Sequence, residues 1–235
     1  MIKKITFFIV VLALGLITRA TTPEEFIQRV NENYTNLSSY SVQMNYSLYK
    51  GYNSRNAVES QSGFYAKSEG GVYSNVFGFE QVSTDDFTLN VDHTFKVITI
   101  SNSKEISPVS QDIKSALKLC SNTIIKELDN GSIKLILDYS GKRVGKYRKI
   151  EFVVDKDYWI QELTLYSAGQ TNFSKSYFED DYDYSKLKIK YFELRKKWKD
   201  KEGLLNPDRY IINENGTYST TQKFSAYNIT DLRRS

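Results

Sequence analysis

From Ser39 to Lys50 the chain alternates: Tyr40, Val42, Met44, Tyr46 and Leu48 take the even positions, and Ser39, Ser41, Gln43, Asn45 and Ser47 take the odd ones. Period-two alternation over this length demands a strand with one dry face and one wet face. A single such strand cannot bury its apolar side alone. The rest of the chain must supply neighbouring strands and something to cover the dry face.

Most of the downstream sequence repeats the pattern. Val58 to Lys67 reads as the return strand after a polar turn at 51–56. Val72 to Val82 reads as an apolar, aromatic strand with a bulge or bend at Gly78. Phe87 to Val91 and Phe95 to Ile100 flank a hairpin tip at Asp92-His93, which places the only His at a surface turn. Asp129-Asn130-Gly131 joins Thr123–Leu128 to Ser132–Leu137, and Asp155-Lys156-Asp157 joins Tyr147–Val154 to Tyr158–Tyr166. Lys186, Lys188 and Lys190 alternate with Leu187, Ile189 and Tyr191, and Arg209–Ile212 and Tyr218–Ile229 read as closing strands. Two helices interrupt the series. Thr22-Pro23-Glu24-Glu25 combines an N-cap, a first-turn Pro and a capping box, and Phe26, Val30, Tyr34 and Leu37 then form one stripe to about Asn36. Ser107-Pro108 opens the second, with Val109, Ile113, Ala116, Leu117 and Cys120 on one face. The first helix suits a lid over a cavity or a plain helix-on-sheet core.

Residues 1–20 stand apart. Lys3 and Lys4 precede an apolar run from Ile5 to Ile17, and Thr18-Arg19-Ala20 ends in a small residue. This is the layout of a secretory signal peptide cleaved after Ala20, with one domain from 21 to 235. The run is short for a membrane span. The formal charge of +4 includes Lys3, Lys4 and Arg19, so the mature chain is close to neutral and does not point to a nucleic-acid partner. The single Cys excludes an internal disulfide, and Cys120 reads as a small buried apolar residue. The high count of Tyr (18) and Phe (13) against three Pro favours sheet over disorder.

No motif carries chemistry. Ser-x-x-Lys occurs at Ser47/Lys50, Ser101/Lys104 and Ser115/Lys118 without companion motifs, and there is no Gly-x-Ser-x-Gly, phosphate loop or zinc spacing. A calcium loop from Asp181 would put Lys186 where Gly is required and Phe192 where the bidentate Glu belongs. The acidic stretch Glu179 to Asp183 therefore reads as a solvated loop, and Arg195-Lys196-Lys197-Trp198-Lys199 as a solvated basic strand end or, alternatively, a contact for anionic lipid head groups or a membrane partner. Glu151, Asp155, Asp157 and Glu162 sit near a hairpin, where turns attract carboxylates anyway. No catalytic residue, metal or cofactor is expected, and the chain is not read as an enzyme.

The order of elements resembles the periplasmic outer-membrane lipoprotein carrier (LolA-like) family. The resemblance lies in the leader, the N-terminal amphipathic helix and the long alternating strand after it. It continues in Ser62-Gly63-Phe64-Tyr65-Ala66-Lys67, the pair Phe87–Ile100, the turn hairpin from Lys126 to Leu135, the strands around Asp155, and the run Phe224 to Arg233. Where that family follows the Lys with Arg and usually Pro, this chain has Ser68 and Glu69. The resemblance implies an α+β fold: a large curved antiparallel sheet forming an incomplete, half-open β-barrel, with helices covering or plugging the concave face. It also implies that the dry face encloses a hollow for acyl chains. Tyr40, Val42, Met44, Tyr46 and Leu48 are the first residues expected to line it. Phe64 on the return strand, Ile133, Leu135 and Leu137, Ile150 and Phe152, and Leu163 and Leu165 would complete the lining. The same residues suit a closed core equally well. The function implied is that of an exported, monomeric periplasmic carrier shuttling a lipid or lipoprotein acyl group between membrane-associated donor and acceptor proteins. The alternative is a non-catalytic envelope protein–protein interaction module on the same sheet.

Overall fold

The computed structural model describes residues 21–103, 117–140, 146–176 and 178–233. The leader at 1–20 and the start of the second expected helix at Ser107 lie outside them; Leu117 and Cys120 lie inside.

Helix α1 (Pro23–Thr35) begins on the expected capping box: the Glu25 amide donates to Thr22 Oγ1 and the Thr22 amide to Glu25 Oε2, both at 3.1 Å. The chain then enters β1 (Tyr40–Lys50), and the strands follow as β2 (Glu59–Ser68), β3 (Gly71–Val76), β4 (Phe79–Ser83), β5 (Phe87–Asp92) and β6 (Val97–Asn102). After these come β7 (Asn122–Glu127), β8 (Ile133–Asp138), β9 (Tyr147–Val154), β10 (Ile160–Asn172) and β11 (Tyr182–Arg195). The hairpin β12 (Ile211–Glu214) and β13 (Thr217–Thr220) forms its own small sheet, and β14 (Asn228–Asp231) closes the series. The expected single strand from Val72 to Val82 is two strands. Phe77 and Gly78 both have positive φ (56° and 73°), which turns the chain tightly between β3 and β4 instead of bulging it.

Among the described residues, twelve strands form one curved, open sheet in the order β14-β6-β5-β4-β3-β2-β1-β11-β10-β9-β8-β7. Every pairing is antiparallel except β14 with β6. The centre of the sheet is the β1–β11 ladder, which joins Tyr46 to Ile189 and Leu48 to Leu187 across the length of the chain. It welds an N-terminal meander, β1 to β6, to a C-terminal one, β7 to β11.

The sheet carries a hydrophobic core on each face. On one face α1 buries Phe26, Ile27, Val30 and Tyr34 against β1, β2 and β8 to β11. Aromatic edges lock it there: Phe26 meets Tyr158 at 5.7 Å, and Tyr34 meets Tyr40 at 5.5 Å and Trp159 at 5.2 Å. Burial pushes the Tyr34 hydroxyl up to about 12, and this hydroxyl accepts the Ile160 amide at 3.3 Å. On the opposite face, the segment after β11 brings Leu204, Leu205, Tyr210, Ile211 and Phe224 onto Tyr73, Val82, Leu89, Val91, Ile98 and Ile100. Among the described residues, no helix is long and apolar enough to cross a membrane.

Candidate functional site

Directly paired residues of antiparallel strands share a face, so the register shows which apolar side chains meet. One transverse row runs Tyr46, Ile189, Leu163, Phe152, Leu135 across β1, β11, β10, β9 and β8. The next row outward runs Leu48, Leu187, Leu165, Ile150, Leu137. A third joins Ile160, Val154 and Ile133 beside α1. Together with Tyr40, Val42 and Met44, these rows bring twelve of the thirteen expected lining residues onto the helix-bearing face.

Phe64 is the exception. It pairs with Gln43 and Asn75, so it points to the other face, where its ring meets Trp198 at 6.4 Å and Tyr73 at 6.1 Å. Its neighbour Tyr65 takes the place on the helix-bearing face and stacks on Tyr40 at 5.5 Å. Gly63 supplies room there for Tyr46: a Cβ at Gly63 would lie 2.7 Å from the Tyr46 ring.

Burial grades along this face. Tyr40, Val42, Met44, Leu135, Leu137 and Phe152 are buried and belong to the core. Tyr46, Ile133, Ile150, Leu163 and Leu187 are half-buried at its margin, and Leu48 and Leu165 are half-buried farther out. Helix α1 explains the gradient. Its 13 residues span about 20 Å. They anchor at the β9–β10 turn, where Asn33 donates to the Asp157 carbonyl at 2.6 Å. From Tyr40 to Leu48, β1 runs about 27 Å, so the outer row lies toward the end of β1 remote from that anchor.

The wet side of the same strands is an ion-pair lattice. Glu151 Oε2 accepts from Lys134 at 2.6 Å and Oε1 from Lys149 at 2.8 Å; Lys188 meets Glu162 at 2.9 Å. Burial raises the Glu151 carboxyl, but its two lysine partners outweigh that and hold it below the usual carboxylate range. Lys50 pairs with Asp181, tying the acidic stretch to the end of β1.

Sequence reasoning missed a second feature on the opposite face. Gln43, Phe64, Asn75 and Glu80 form one transverse row across β1 to β4, continuous with the buried Val91 and Ile98. Above its polar part is a pocket of about 730 Å³, walled by the segment from Glu193 to Arg209. Asp200 fixes that wall by accepting the Leu204 and Leu205 amides at 2.8 and 2.7 Å. Asn206 caps the short turn Pro207–Arg209 by accepting the Asp208 amide at 3.0 Å.

At the pocket floor Glu80 accepts from Tyr210 Oη at 2.6 Å and from His93 Nε2 at 2.8 Å. His93 Nδ1 is 2.8 Å from the Tyr227 hydroxyl, which donates to it when the neutral ring carries its proton on Nε2. Burial raises Glu80, but the hydrogen bonds from Tyr210, His93 and Tyr73 leave it below the ordinary carboxylate range. Thus His93 sits at the hairpin tip as expected, yet its ring is a strut between β4 and the C-terminal segment. One acidic residue, a lone His and two tyrosines gave no motif spacing, because the partners come from residues 80, 93, 210 and 227.

No protein-family profile and no curated protein matches this sequence. Among solved structures, the fold is similar to a LolA superfamily protein from Nitrosomonas europaea, at 10% identity and a TM-score of 0.31, covering 79% of this chain and 98% of that one. It is also similar to a DUF1329 family protein from Desulfovibrio piger, at 9% identity and a TM-score of 0.33, covering 77% and 95%. The first bears the family name that the order of elements resembles. At these scores the likeness is distant, and the functional reading rests on this chain's own residues.

Proposed function

We propose that the protein is an exported, periplasmic carrier that holds an acyl chain of a lipid or lipoprotein on the helix-bearing face and shuttles it between membrane partners. One observation carries the reading: the outer apolar row, which starts at buried Leu137, stays only half-buried at Ile150, Leu165, Leu187 and Leu48 across four adjacent strands. Such a floor is free of charge, while the other face of the same strands holds lysines and glutamates in pairs. An acyl chain laid along it gains ~0.8 kcal/mol per buried methylene. Ten methylenes give about 8 kcal/mol, the scale of a micromolar complex before ordering costs are subtracted. Helix α1 then acts as an end wall, and cargo of more than one chain would displace it.

Native mass spectrometry of the mature protein, with displacement of a fluorescent fatty acid, tests the reading. Co-purifying lipid and saturable displacement are expected, and Leu165→Glu, at a half-buried position, should abolish both in a folded protein. A ligand-free chain that displaces nothing would replace the carrier with the interaction module.

A further inference from the structure

The pocket on the opposite face has a charge imbalance that its own residues do not resolve. Five basic side chains line it, Arg195, Lys197, Lys199, Lys201 and Arg209, against Glu80, Glu193 and Glu202. Two of the three acids are engaged: Glu80 accepts from Tyr210 and His93, and Glu193 faces Arg195 at 3.5 Å. Lys197, Lys199, Lys201 and Arg209 make no ion pair among the described residues. Arg209 is half-buried at the wall, with its guanidinium carbon 5.7 Å from the centre of the Tyr210 ring. The rest of the lining is neutral: the Gln43 and Asn75 amides on the floor, and the Phe64 and Trp198 rings in mutual contact.

We propose that this pocket binds a phosphate group carried on a sugar or similar hydroxylated ring. Several cations carried by the one wall segment around the pocket match a dianion with three acceptor oxygens, and the guanidinium fork of Arg209 can hold two of them. The aromatic rings offer a flat apolar surface to the ring of the ligand, and the amides offer donors and acceptors to its hydroxyls. The volume, about 730 Å³, falls in the range of small-molecule sites. The phosphate belongs either to a soluble sugar phosphate or to an inositol-type lipid headgroup. The site lies on the face away from the apolar rows and does not depend on acyl binding there.

Trp198 is a built-in reporter, because the chain has two Trp and the other, Trp159, packs beside α1. In a Trp159→Phe background of the mature chain, glucose 6-phosphate should quench Trp198 saturably, while glucose should not. Inorganic phosphate should act at least tenfold more weakly. Arg209→Gln should weaken the glucose 6-phosphate response at least tenfold, and the exposed Lys199→Gln, which cannot disturb the fold, about threefold. A response to phosphatidylinositol vesicles without one to glucose 6-phosphate assigns the phosphate to a lipid headgroup. Silence with both, equal responses to glucose and its phosphate, or an unchanged response in both variants would overturn the site. A full response to inorganic phosphate alone would overturn the ring.

Discussion

Replacing Tyr34 with Phe isolates one buried hydroxyl at the α1–sheet junction. The ring keeps its edge contacts with Tyr40 and Trp159, so the change acts on the hydrogen bond from the Ile160 amide at 3.3 Å. That amide sits at a register irregularity of the β9–β10 ladder, in a buried setting. An unsatisfied buried donor costs about 1–3 kcal/mol, and the long bond places this one at about 1–2 kcal/mol near neutral pH. The sign then changes with pH. The Tyr34 hydroxyl is pushed up from 10.0 to about 12, chiefly by burial. A folded value above the unfolded one means stability that is present below pH 10 and is lost as pH rises toward the folded value. At pH 10.5 that loss is about 0.8 kcal/mol in the wild type and absent in Tyr34→Phe. Tyr73 and Tyr210, phenols on the opposite face with raised values and no coupling to Tyr34, act in both proteins and cancel in the comparison. Urea unfolding should therefore show an unchanged slope with denaturant, and a stability gap of about 1–2 kcal/mol at pH 7 that narrows by about 0.8 kcal/mol at pH 10.5. A gap of the same size at both pH values would refute the burial of this hydroxyl. No gap at pH 7 would refute its role as acceptor.

Two further substitutions probe the sheet. Gly71 has φ +130°, and a Cβ there would stand 2.1 Å from the Ser83 carbonyl oxygen of β4, so Gly71→Ala should cost about 3 kcal/mol or more and lower the melting temperature by roughly 6–12 °C; an unchanged melt would contradict the β3–β4 register. Glu151→Gln leaves Lys134 and Lys149 without their shared anion and should cost about 1–2 kcal/mol at pH 7. Because the Glu151 carboxyl is held below 4.5, its contribution is present above that pH and lost as pH falls through the folded value. The two proteins should converge in acid, and a pH-independent difference would point to packing instead of charge.

The local elements were legible because their signals are local. The Thr22–Glu25 box fixes the start of α1, and the turn at Asp129-Asn130-Gly131 sets the β7–β8 hairpin, with Gly131 at φ +76°. Alternation alone predicts the wet and dry sides of β1 and β8 to β11. It fails where two apolar residues are adjacent. Phe64 and Tyr65 both look like core, and only the pairing of Tyr65 with Val42 decides which one faces α1. The β1–β11 ladder and the parallel β14–β6 pair leave no trace in composition, since each joins segments more than a hundred residues apart. The pocket was hidden for the same reason. Its floor is a row across four strands, one residue from each, and its wall is an irregular segment with no periodicity.

The most direct test of acyl carriage is a crystal structure of the mature protein with a bound saturated fatty acid. The chain should lie across β1, β11, β10 and β9, with methylenes within about 4.5 Å of Leu48, Leu187 and Leu165 and with α1 retained at the far end. A fatty acid bound on any other surface, or none bound at saturating concentration, would contradict the account.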